Sequence, residues 1–141
     1  MEVSEVRRRV GDAVERAKQS AANRRARADE ASREYAKFLE HIAVPLFRQV
    51  ANVLKAQSYF FTVFTPSGSV RLMSDRNGDD YIELLLDTAG EDIAVIGHVN
   101  RSRGGRVIES ERPVGSGPIQ DMTDETVLRF VLEELGPFVE K

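Results

Sequence analysis

The first 57 residues contain one glycine, Gly11, and one proline, Pro45, whereas residues 58–118 contain eight glycines and three prolines. Glycine and proline are the strongest punctuation a chain carries, so this contrast divides the molecule. The first part is rich in Ala, Arg and Glu and reads as helix. The second holds most of the β-branched and aromatic residues and reads as sheet. The order predicts an α+β protein: a long N-terminal helix kinked or broken near Pro45, a five-stranded antiparallel meander, and a C-terminal helix packed on one face.

The helical part has two sections of different strength. From Val3 to Ala31 the inward positions are Val3, Val6, Val10, Ala13 or Val14, Ala17, Ala21, Ala28 and Ala31, interrupted near Asn23, Arg24 and Arg25. Small side chains bury little area each, so this stretch is marginal by itself and calls for a partner. From Tyr35 the stripe strengthens through Phe38, Leu39, Ile42, Leu46, Val50, Val53 and Leu54 at three- and four-residue steps. Residues 1–34 are therefore read as an oligomerisation or docking arm. Residues 35–141 are read as the folded domain, with helix 35–57, sheet 58–112, loop 113–122 and helix 123–136. Pro45 removes a hydrogen bond and clashes with the preceding turn, which predicts a kink or break near Ala43–Val44. An unbroken helix over residues 2–57 would reach roughly 84 Å at ~1.5 Å per residue, so it must fold back, or project and pair.

Strands are expected at Tyr59–Thr65, Val70–Ser74, Tyr81–Asp87, Ile93–Asn100 and Arg106–Arg112. The turns between them are Pro66-Ser67-Gly68, Asn77-Gly78 (read as a type I′ hairpin), Ala89-Gly90-Glu91 and Gly104-Gly105. Thr123, with Thr126 or Asp124-Glu125, starts the last helix. Its apolar stripe is Val127, Leu128, Val131, Leu132 and Leu135, and Gly136-Pro137 is expected to stop it.

Charge follows the same division. Residues 1–57 carry twelve Lys+Arg against eight Asp+Glu, and residues 58–141 carry eight against fifteen. With no cysteine, a disulfide framework, a thiolate zinc site and a cysteine nucleophile are all excluded. The charged N-terminus lacks the apolar core of a signal peptide, and no apolar run is long enough to span a bilayer. A cytoplasmic protein with no membrane association is expected.

Few residues form a recognisable chemical constellation. Asp75, Asn77 and Asp79 have the first spacings of a calcium loop, but Asp80 stands where glycine is needed and Leu86 where a bidentate glutamate is needed. A turn explains the same letters, so neither a metal nor a cofactor is expected. Arg101, Arg103 and Arg106 flank Gly104-Gly105 and are candidates for anion or nucleic-acid contact, together with Arg7, Arg8, Arg9, Arg24, Arg25 and Arg27 on the arm. Acidic residues intersperse the arm, which favours a salt-bridged helix surface. His41 and His98 share no metal spacing, although His98 sits where carboxylates of neighbouring strands can meet it. No P-loop, Rossmann fingerprint or Gly-x-Ser-x-Gly elbow is present.

No catalytic residues are assigned, and a non-catalytic adaptor or regulatory protein is expected. It would self-associate as a coiled-coil dimer through Val3, Val6, Val10, Ala17, Ala21 and Ala28, and would bind a protein partner. A nucleic-acid accessory factor using the arginines is the alternative. A small-ligand domain with a pocket between helix and sheet is the third reading.

Overall fold

A computed structural model describes residues 1–90 and 92–140. Helix α1 (Val3–Phe38) passes through a π turn (Leu39–Ala43) directly into α2 (Val44–Ala56). The helix widens at the proline and does not break there. The Val44 N–H donates to the Leu39 carbonyl, five residues back, and the flanking residues keep right-handed helical torsions. One extra residue in the turn ahead of Pro45 relieves the clash between its ring and the preceding carbonyl. The irregularity expected near Ala43–Val44 as a kink or break takes the form of a π bulge at Leu39–Ala43, and the chain projects where it was also free to fold back. The combined helix is roughly 80 Å long at ~1.5 Å per residue. Burial on it begins at Tyr35 and Phe38.

Strands β1 (Phe61–Phe64), β2 (Ser69–Ser74), β3 (Tyr81–Asp87), β4 (Ala94–Arg103) and β5 (Arg106–Pro113) form one antiparallel sheet in sequence order. Alternation sets the two faces. Val70 and Leu72, Ile82 and Leu84, and Val95 and Val99 point to the helices and are buried. There they meet Ala43, Leu46, Phe47 and Leu54 from the π turn and α2. Helix α3 (Asp124–Val139) adds Val127, Phe130 and Val131, the end of α1 adds Tyr35 and Phe38, and the loop between β5 and α3 adds Val114 and Met122. Thr123 caps α3: its hydroxyl accepts from the Thr126 N–H, and the Thr126 side chain accepts from the Thr123 N–H.

Two sequence assignments change, and the Gly104-Gly105 turn is found where expected. Neither Asn77 nor Gly78 has a positive φ, so the expected type I′ turn is not there. The β2–β3 connection is instead a longer loop in which the Asp80 N–H donates to the Asn77 carbonyl and the Asp79 N–H to the Asn77 side chain. The tight two-residue turn is Gly104-Gly105, with φ of 55° and 80°, and Arg103 pairs with Arg106 across it. Gly136-Pro137 does not end α3, which runs on to Val139. Gly136 has no Cβ to collide with the proline ring, and Phe138 reaches an edge-on contact with Phe61 at 6.4 Å that rewards continuation. Glu91, expected in the β3–β4 turn, lies outside the described residues.

Tyr35 joins the helix to the sheet. Its hydroxyl donates to the Gly68 carbonyl at 2.8 Å and lies 3.3 Å from the Leu84 carbonyl. Burial, reinforced by the nearby Glu83 carboxylate, pushes this phenol well above the ordinary tyrosine value of 10.0. The folded value is raised, so its contribution to stability is complete below pH 10.0 and is lost as the pH rises beyond it. Tyr35→Phe is expected to lower stability at neutral pH by about 1 kcal/mol and to flatten the loss above pH 10. Urea midpoints of both proteins between pH 8 and 11.5 check this.

Candidate functional site

The arm presents the largest unpartnered apolar stripe. Val3, Val6, Val10 and Val14 lie on one side of α1 and are exposed, Val3 at 72% and Val10 at 56%. Ala21, Ala28 and Ala31 continue the stripe and are half-buried, whereas Ala17 is exposed. Part of the charge around them is settled within the helix. Arg8 and Arg9 both bind Glu5, at 2.7 and 2.9 Å, and Arg33 binds Glu30. These pairs are solvent-exposed and are each worth little, but they account for residues that composition alone offers to a phosphate backbone.

The arginine candidates do not converge. Strand register puts Arg101, Arg103 and Arg106 on one face at the β4–β5 tip, and Arg103 lies 3.7 Å from Glu140. Arg24 and Arg27 border a depression with Thr88–Gly90, Asp92 and Ile93, at the opposite end of β4. The ten residues of β4 separate the two groups by roughly 30 Å at ~3.3 Å per residue. Arg7, Arg8, Arg9 and Arg25 stay exposed on the arm.

The helix-free face of the sheet carries a polar row that sequence reading saw only in part. Register aligns Arg71, Glu83, His98 and Glu111 across β2 to β5. Arg71 Nε donates to Glu83 at 2.9 Å, and Ser69 Oγ lies 3.3 Å from the same oxygen. Glu83 is only 8% exposed. The Arg71 guanidinium lies 4.1 Å above the Tyr81 ring, and Tyr81 stacks on His98 at 5.7 Å. His98 Nδ1 meets Glu111 at 3.1 Å, and Nε2 meets Glu109 at 3.7 Å. Basic and acidic side chains alternate along the row, so each can pair with the next. Burial raises the Tyr81 phenol above its ordinary value, against the lowering pull of Arg71.

The row therefore contains the imidazole–carboxylate pair expected of His98. No hydroxyl hydrogen-bonds His98 among the described residues, and this arrangement supplies no activated nucleophile. His41 is exposed on the π turn. The Asp75–Asp80 segment works as a turn. Asp75 accepts from Thr62 Oγ1 at 2.6 Å and Asp80 from the Ser102 N–H at 2.8 Å, so these carboxylates brace strands. Among the described residues no group of His, Asp and Glu is arranged to hold a metal.

A cleft of about 900 Å³ opens between α1 and the β2–β3 end of the sheet, lined by Tyr35, Leu39, Val44, Ser69, Glu83 and Leu86 among others. Its interior polar groups are engaged: Tyr35 with backbone carbonyls, and Glu83 with Arg71 and Ser69. No helix among the described residues is long and apolar enough to cross a membrane. No family model matches the chain. Searches of curated proteins and of solved structures also find no match.

Proposed function

We propose that this chain is a non-catalytic interaction module that self-associates through its N-terminal arm, residues 1–34, and presents the sheet's open face to a protein partner. The exposed valine stripe of Val3, Val6, Val10 and Val14 carries the reading. Valine is a mediocre helix former, and exposed apolar side chains at helical spacing gain nothing from water. An arm of this length frays by itself unless its stripe is buried against something. Ala17, Ala21 and Ala28 extend the contact with residues small enough for close helix approach.

The nucleic-acid alternative has less support, because its arginines are scattered between the two ends of β4 and the arm, and Arg8, Arg9 and Arg103 are paired with carboxylates. The ligand-pocket alternative has less support because the buried polar side chains of the cleft, Tyr35 and Glu83, already have partners.

Deleting residues 1–31 is expected to convert a dimer into a monomer while leaving a cooperative thermal transition, since the core begins at Tyr35. Light scattering after size exclusion at micromolar concentration reads this directly. A full-length chain that is already monomeric there would refute self-association.

A further inference from the structure

Helices α2 and α3 leave a solvent-open groove of about 420 Å³ between them. Its walls include Leu46, Val50 and Val53 from α2 and Leu128, Leu132 and Leu135 from α3. Val53 is 58% exposed and Leu132 is 59% exposed, which is unusual for large aliphatic residues flanking a core. The lining recurs along α2 from Leu46 to Gln57 and along α3 from Leu128 to Val139, so the groove follows both helices for roughly 17 Å at ~1.5 Å per residue.

We infer that this groove receives the Val3–Val14 tip of the arm from a second copy of the chain. The inference rests on the self-association reading and specifies where the arm docks. Length matches first. Val3, Val6, Val10 and Val14 cover the same span along the arm as the lining residues cover along each wall. A helix laid in a groove by its i, i+3 and i+7 side chains is a standard mode of recognition.

A chain's own tip cannot reach its own groove. The helix is continuous from Val3 to Ala56, so the tip and the groove stand roughly 60 Å apart on one rod. One charge pair is available as well. On α3, Arg112 binds Glu133 and Glu134 and Arg129 binds Glu125, so Asp124, one turn before Leu128, is the acidic residue of this helix left without a basic partner among the described residues. On the arm tip Glu5 binds Arg8 and Arg9, and Arg7 has no carboxylate partner among the described residues. A twofold axis makes the exchange reciprocal, so one dimer contains the contact twice.

The chain has no cysteine, which makes directed cross-linking clean. Val6→Cys protein is mixed with Leu132→Cys protein, or with Val53→Cys protein, and treated with a short bis-maleimide that tolerates small register differences. Both groove positions are exposed, so neither substitution opens the core. Mixed cross-linked dimers are expected in both cases, about tenfold above a Val6→Cys plus Ser116→Cys control. Leu132→Asp is expected to raise the dimer dissociation constant at least about tenfold with the helical circular dichroism intact. A dimer by light scattering that links Val6→Cys only to itself places the arms against each other. That result overturns the groove assignment and leaves self-association standing. A dimer that gives no link from Val6→Cys to either wall, with a Leu132→Asp protein that still dimerises, also overturns it and assigns the groove to a different protein. A monomeric full-length chain removes both.

Discussion

Replacing Gly97 with alanine is expected to destabilise the protein by about 3 kcal/mol and to lower the thermal midpoint by about 10 °C. A Cβ at this position would stand 2.1 Å from Cζ of Phe130 and 2.6 Å from both Cε atoms, so the ring must move. Phe130 is almost wholly buried, with the Arg112 guanidinium 4.4 Å over its ring, and Arg112 is itself tied to Glu133 and Glu134. Moving the ring therefore disturbs the docking of α3 on β4. Phe130→Leu alone is expected to cost about 2 kcal/mol through the void it leaves. The double variant should cost clearly less than the two losses combined, because the smaller side chain vacates the space the new methyl needs. Denaturant titration of the four proteins checks the cycle, and simple additivity would show that the Gly97–Phe130 contact does not limit the packing.

Breaking the Arg71–Glu83 pair is the second large effect. Arg71→Met leaves a carboxylate that is 8% exposed with only the Ser69 hydroxyl as a side-chain donor. A buried charge stripped of its partner typically costs about 3–5 kcal/mol. Arg71 is itself partly exposed and water can enter at that side, so about 2–3 kcal/mol is expected here. Replacing both residues with methionine should recover most of the stability. Urea midpoints at pH 7 for the single and double variants distinguish a charge effect from lost packing over Tyr81. If the double variant loses as much as the single variant, packing over Tyr81 is responsible.

The architecture was largely legible before any coordinates. Glycine and proline placement separated helix from sheet, and period-two alternation in Tyr81–Asp87 identified which face meets the core. Thr123 was readable as a cap because its hydroxyl acts over three residues. The failures share a cause. Asn77-Gly78 carries the usual letters of a type I′ turn, yet the chain spends more residues there and places its tight turn at Gly104-Gly105. Local sterics predict a kink or break at Pro45 and a stop at Pro137, and tertiary packing of Phe47 and Phe138 favours continuing both helices, the first through a π bulge.

The polar row was legible only as isolated letters. Arg71, Glu83, His98 and Glu111 are separated by twelve to fifteen positions, and only strand register brings them into line. Ile82 and Leu84 announce the buried face, but nothing in the spacing of Glu83 says that it will be nearly as buried as they are.

By itself the sequence determined what kind of element each stretch makes, because helix and strand periods, caps and glycine content act within a few residues. It also set the make-up of the arm, whose apolar stripe from Val3 to Ala31 holds valines and alanines and no larger residues. Only the tertiary structure decided that the helix runs unbroken past Pro45, that Gly97 exists to seat Phe130, and that Leu46–Gln57 and Leu128–Val139 leave a groove of the arm's own span. Those outcomes depend on contacts between residues far apart in the chain, and no local period encodes them.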